Sequence, residues 1–416
     1  MPLDDRFRWL IWISISEIGT MLVFANYSAL LPVLQKEWSL TNGQAGWIYS
    51  SYQIGYILSV VSLTSLTDYT HPKYIYIFSA FWAGISGILF SLWAVGFQSA
   101  LGLRTLMGIG LAGTYMPGLR MVSEAFPSLE RGKAVGIYVA AFTLGVALSL
   151  FLTGLLHSFL PWRWAFLLTS IGPIGGGVIA FLRLGKFTKR EKEEEKKVSL
   201  AQVLRNRPVL LMIGGYVAHM WEMFGMRGWI VAFLSACLLT ARFEFSKAVS
   251  LSAIISGVVT LVGAVSNALG GALSDRFGRG NTIMVMMLGS GLLSVLIGWT
   301  RTLPFWLILS ISILYGFMVT GESSVLSTGI TELAHPGGLG RTMALQSLLG
   351  FGAASISPIV FGYVLDLTNP VDALARFGYV PNWGWAFMLL GIGGWMGPLA
   401  IWRMKKEVTR TEATRS

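Results

Sequence analysis

Residues 214–234 read GGYVAHMWEMFGMRGWIVAFL, a stretch long enough and apolar enough to cross a bilayer. Near its middle stand His219, Glu222 and Arg227. Ionisable groups at that depth cost about 2.5–3.5 kcal/mol each on insertion scales, so they line a cavity or pair with one another. What these three residues face is the question that the rest of the chain has to answer.

The composition settles the class. Of 416 residues, 54% are hydrophobic and 12% charged, with a mean hydropathy of +0.64. Soluble domains carry about 25% charged residues, so this is an all-α polytopic membrane protein. The 49 glycines fit helices that pack closely in lipid. The single cysteine, Cys237, excludes an internal disulfide, and the sequence implies no metal and no cofactor. The first apolar run follows Asp4, Asp5, Arg6 and Arg8 and lacks a small-residue cleavage site, so it reads as a retained helix.

Twelve apolar spans follow, each near the ~20 residues that a crossing needs. They cover residues 9–31, 44–66, 74–95, 99–124, 133–156 and 164–183, then 209–235, 248–273, 282–299, 304–332, 343–365 and 383–402. The runs are too long and too little alternating for strands. With the N-terminus inside, 22 of the 31 Lys and Arg fall in inside segments and six outside. That bias places both termini in the cytoplasm, in a multi-pass cell (inner) membrane protein. It also accounts for the net charge of +11 without nucleic acid. The expected organisation is a six-helix bundle over residues 1–183, a solvated charged linker with a helical, ion-paired middle over 184–208, and a second six-helix bundle with a tail over 209–416. The chain is expected to act as a monomer in the lipid bilayer.

The halves repeat each other. Gly108 and Gly113 precede Glu124 by 16 and 11 residues, and Gly316 and Gly321 precede Glu332 by the same steps. Asp68 and Asp275 follow the second and eighth spans at an offset of 207. Parallel repeats of this kind place the substrate where the halves meet.

Residues 270–279, GGALSDRFGR, are similar to the cytoplasmic loop motif of the major facilitator superfamily, and the resemblance covers almost the whole chain. It implies twelve transmembrane helices in two pseudo-symmetric bundles. In the motif Gly271 would permit close helix approach, and Asp275, with Arg276 and Arg279 nearby, would latch one conformation. The first-half counterpart keeps Asp68 but loses the glycines and arginines, which predicts an asymmetric latch. Arg104-Thr105-Leu106-Met107-Gly108 resembles the family's fourth-helix motif. Residues 352–358, GAASISP, resemble a glycine–proline motif common in the fifth helix of antiporters, whereas the fifth span here has no proline. The region 219–227 bears a weak likeness to the nitrate/nitrite and cyanate porter groups, without the nitrate group's glycine–tryptophan–glycine–asparagine signature.

Away from the span ends, the ionisable residues are Glu17 in span 1, Arg104 and Arg120 in span 4, His219, Glu222 and Arg227 in span 7, and Glu322 in span 10. In the resembled fold those four spans line the central cavity. Arg227 is the first candidate to anchor an anion, because guanidinium stays charged and binds carboxylates bidentately. Arg120 is either a second anchor or a cytoplasmic latch. Arg104 reads as a structural arginine bonded to helix carbonyls. Glu222, Glu17 and Glu322 are candidates to carry a proton, with His219 as relay. Desolvation favours a neutral carboxyl and a nearby arginine a charged one. The i, i+3 spacing lets Glu222 meet His219 easily and Arg227 only obliquely. Glu124 and Glu332 are expected to form gate pairs with Arg131 and Arg341. Tyr27, Tyr115 and Trp221 are candidates to wall the site, below the charges in rank because most aromatics at helical spacing are packing.

These observations predict a secondary transporter for a small anion, inorganic or carboxylate, coupled to protons by alternating access. The alternative is a proton-coupled exporter of amphipathic or cationic compounds. The sequence holds no phosphate-binding glycine loop with lysine, no paired metal ligands and no serine–histidine arrangement at usable spacing, so no enzyme is expected.

Overall fold

The computed structural model describes residues 3–185, 199–335 and 337–413. Among them every regular element is a helix. The first half contains α1 (Leu3–Met21), α2 (Asn26–Trp38), α3 (Asn42–Leu66), α4 (Pro72–Trp93), α5 (Phe97–Ala125), α6 (Ser128–His157) and α7 (Trp162–Arg183). The short α8 (Leu200–Arg205) precedes α9 (Arg207–Thr240), α10 (Phe245–Phe277), α11 (Arg279–Ile297), α12 (Phe305–Leu333) and α13 (Leu339–Thr368). The five-residue α14 (Ala373–Phe377) and the long α15 (Gly384–Ala413) complete the chain. Ten stretches are long and apolar enough to cross a membrane, with α1 and α2 taken together as one. The helices α3 and α5 match expected spans 2 and 4 in length. Twelve spans are thus present. Most of the expected charged linker, including its helical middle, lies outside the described residues.

Local chemistry sets several boundaries. Thr41 and Gln44 form a reciprocal capping box at the start of α3, and Ser199 and Gln202 do the same for α8. Pro72 opens α4, where its missing N–H costs nothing. The first span departs from expectation. It is broken between Met21 and Asn26 and runs on to Trp38, instead of ending near residue 31.

The chain forms two compact units. The first gathers the described residues of Met1–Glu191 with Ile230–Leu261 and Leu374–Tyr379. Its buried core includes Trp9, Ile13, Tyr76, Met121, Val122 and Tyr138. The second gathers those of Lys192–Trp229, Val262–Ala373 and Val380–Ser416, with a core that includes Met212, Met287, Leu326 and Ile401. Each unit turns bulky apolar side chains outward, such as Leu58, Val61 and Phe78 in the first and Val285, Leu292 and Met396 in the second. A bilayer solvates such a surface and water does not.

One glycine contact corrects the sequence reading. The close helix approach in the 270–279 motif is made by Gly270, where a Cβ would collide with the Gly321 carbonyl on α12. At Gly271 a Cβ would meet nothing within 4 Å. Consecutive helical residues point about 100° apart, so only one of the pair can face α12.

Candidate functional site

The charged residues fall into separate clusters. In the first unit, Glu17 on α1 is completely buried. Its Oε2 accepts hydrogen bonds from Tyr138 on α6 at 2.7 Å, Tyr76 on α4 at 3.2 Å and Thr20 at 3.2 Å. Its Oε1 is buried with no hydrogen-bond partner among the described residues. Ser16 lies 3.0 Å from the Tyr76 hydroxyl and donates to the Gly176 carbonyl on α7 at 2.7 Å. Tyr115 on α5 is half-buried and stacks on Tyr138 at 6.2 Å. A carboxyl held only by neutral hydroxyls can keep its proton or lose it without breaking an ion pair.

Arg104 occupies the break in span 1. It is buried and donates from Nη1 to the Val23 carbonyl and Asn26 Oδ1, at 3.1 and 3.2 Å, and from Nη2 to the Phe24 carbonyl at 3.2 Å. Its guanidinium lies 4.5 Å over the Tyr52 ring and 5.5 Å from Tyr27. Ser149 on α6 completes the repair by donating to the Leu22 carbonyl and accepting from the Ala25 N–H. Tyr27 is fully buried and donates to the Ala45 carbonyl at 3.2 Å, so it supports the break.

Arg120 is committed to ion pairs. Its Nε donates to Glu124 at 2.8 Å and its Nη1 to Asp68 at 3.0 Å and to Thr67. In the second unit Arg279 holds Asp275 at 2.6 Å and Glu332 at 3.0 Å. Both halves build a latch of one arginine between two carboxylates, and the two latches differ in where the arginine comes from. The carboxylates follow the repeat, while the arginine comes from α5 in one half and from the start of α11 in the other. Glu124 and Glu332 take these partners where Arg131 and Arg341 had been expected. Arg131 and Arg341 sit in the first turns of α6 and α13, and Arg276 lies over the Phe277 ring at 5.3 Å.

The second unit holds the ionisable residues of the opening stretch. His219 on α9 and Glu322 on α12 are both completely buried, with Nδ1 and Oε1 2.9 Å apart. The Val319 carbonyl lies beside the same ring, and Tyr216 packs 5.9 Å from it. Oε2 of Glu322 is buried with no hydrogen-bond partner among the described residues. Glu222 does not meet His219. It points instead at α11, α12 and α15, accepting from Ser290 at 3.1 Å beside the Tyr315 hydroxyl. Gly394 on α15 leaves the space for this carboxylate, which a Cβ there would strike. Three helical residues leave the two side chains about 60° apart around the axis, which is enough for them to reach different neighbours. Trp221 packs against Gly393 of α15. Arg227 is half-buried on α9, eight residues or roughly 12 Å beyond His219 along the helix axis.

The sequence reading missed Tyr76, Tyr138, Ser290 and Gln346. Gln346 on α13 is buried against Tyr216 and donates to Ser327 at 3.4 Å. These are neutral side chains on spans without charges, so a search for ionisable residues passes over them. Among the described residues no three His, Cys, Asp or Glu side chains gather as metal ligands.

Known proteins agree with this architecture. The profile of the Major Facilitator Superfamily matches residues 13–358. A probable sulfoacetate transporter from Cupriavidus necator is 25% identical over 378 residues, covering 83% of this chain and 84% of that protein. A hexuronate transporter from Bacillus subtilis is 22% identical over 391 residues, covering 88% and 89%. The fold is shared with a bacterial homologue of the human lysosomal transporter Spinster, solved in an inward-facing, occupied conformation, at a TM-score of 0.80, 14% identity and 98% coverage of both chains. A match over most of the twelve spans settles the family: the chain belongs to the Major Facilitator Superfamily, and is a multi-pass membrane transporter of small molecules.

Proposed function

We propose that this transporter moves a small organic anion, a carboxylate or sulfonate, together with protons by alternating access. The observation that carries the reading is the buried His219–Glu322 pair between α9 and α12, whose histidine lies on the helix that also bears Arg227. Sulfoacetate and hexuronate, the compounds named for two relatives, are both organic acids and support the substrate class.

The coupling follows from charge balance. With one proton between them, His219 and Glu322 are neutral as a pair. Without it they carry a net negative charge in a low-dielectric interior, which is costly unless a cation compensates. Arg227 is the nearby cation. An anionic substrate that engages Arg227 withdraws that compensation and makes proton uptake by the pair the cheaper state. Anion and proton then travel together. Glu17 and Glu222, each held by hydroxyls, are further places for a proton. We place both termini in the cytoplasm, on the distribution of Lys and Arg.

The test is transport into proteoliposomes of hexuronate and sulfoacetate under an imposed pH gradient. Arg227→Ala is expected to abolish uptake and exchange. Glu322→Gln is expected to retain substrate exchange between equal pools and to lose gradient-driven accumulation. Full accumulation in both variants overturns the assignment.

A further inference from the structure

Arg207, Leu210 and Leu211 on α9 and Arg403, Lys406 and Glu407 on α15 line a cavity of about 640 Å³. It lies wholly within the second unit. Arg207 and Arg227 are twenty residues apart on one helix, roughly 30 Å along its axis, so this cavity is separate from the site described above.

Its lining has two chemical parts. Arg207, Arg403 and Lys406 are exposed cations. Among the described lining residues the one carboxylate is Glu407, 3.9 Å from Arg207. Three positive charges against one negative leave the mouth cationic. Leu210 and Leu211 form an apolar, half-buried wall on the first turns of α9. On α15, Trp402 is half-exposed, with the Lys406 ammonium 3.6 Å over its ring. Tryptophan with lysine or arginine at the end of a spanning helix marks the level of the lipid headgroups.

We propose that this cavity binds the phosphate headgroup of an anionic phospholipid, whose acyl chains leave along Leu210 and Leu211. Guanidinium forks from two helices suit phosphate oxygens, and the lysine adds a point charge. Basic pockets between spanning helices hold anionic headgroups in this way. A zwitterionic headgroup carries its own cation, which the three side chains repel. The occupied site ties the first turn of α9, the helix that carries His219 and Arg227, to the end of α15. This inference depends on the membrane fold alone and stands whatever the transported substrate is.

The experiment measures the melting temperature of the purified full-length protein in neutral detergent. Phosphatidylglycerol, phosphatidylcholine and inorganic phosphate are added at equal phosphorus concentration. Phosphatidylglycerol is expected to raise the melting temperature by several degrees, while phosphatidylcholine and phosphate leave it unchanged. The shift is expected to vanish in Arg403→Gln/Lys406→Gln and to persist in Arg8→Gln/Lys247→Gln, which removes two charges elsewhere. If the first double variant does not fold, Arg207→Gln serves, with the shift at a given lipid concentration reduced. An equal shift with phosphatidylcholine, an equal shift with inorganic phosphate, or a shift that survives in the cavity variants overturns the proposal.

Discussion

Three buried carboxylates show how differently one side chain is accommodated in the same fold. Glu17 is held by two phenols and a threonine, Glu222 by Ser290 beside Tyr315, and Glu322 by an imidazole. The bond at 2.7 Å from Tyr138 is the shortest to Glu17. Tyr138→Phe is expected to cost about 1–3 kcal/mol, because it leaves a buried acceptor short of a donor. Thermal or denaturant unfolding of the purified protein measures this, and in a Glu17→Gln background the cost should change, since residues in contact are not additive. Gly394 makes a second test. Gly394→Ala puts a methyl group onto the Glu222 carboxylate and is expected to lower stability, an effect that disappears when Glu222→Ala is the background. Ionisable residues in apolar spans were legible from the sequence. Their partners were not: Tyr138 is 121 residues from Glu17, and no short-range pattern links the two.

The broken first span is a tertiary feature imposed on an ordinary helical sequence. The break falls at Leu22, Val23, Phe24 and Ala25, which include neither glycine nor proline. The backbone groups it releases are taken up by Arg104 and Ser149, from α5 and α6. A buried carbonyl left unpaired costs about 1–3 kcal/mol, so the break persists only because these side chains reach it. Lysine is a point donor and cannot reproduce the fork. Arg104→Lys is therefore expected to lower the melting temperature and to speed hydrogen exchange of the amides around residues 22–29, while amides in the second unit keep their protection. The reading of Arg104 as a partner of helix carbonyls came from its motif and depth. That those carbonyls belong to a break in span 1 is decided by the packing of α1 and α2 against α5 and α6.

Across both units, the repeat is preserved in position and varied in chemistry. Asp68 and Asp275 occupy equivalent places, as do Glu124 and Glu332, and each pair of carboxylates closes on one arginine. These latches are partly exposed, and such pairs contribute no more than about 1 kcal/mol. Asp68→Asn and Asp275→Asn are accordingly expected to shift melting by no more than about 2 °C. Their effect is expected on turnover, read as the initial rate of uptake in proteoliposomes, because a latch biases a conformational equilibrium more than it stabilises the fold. An unchanged rate in both variants removes the latch role. Length, hydropathy, the placement of the spans and the confinement of deep charge to spans 1, 4, 7 and 10 are properties of the chain read along itself, since each depends on neighbours within about twenty residues, and the six-plus-six repeat is read along the chain from motifs recurring at an offset of 207. Which groups meet is decided only when helices pack: His219 with Glu322 and not Glu222, Arg120 with Asp68, Arg104 with the opened backbone of span 1. Those choices depend on how each helix is rotated about its axis and on which helix lies beside it, and side chains far apart in the chain settle both.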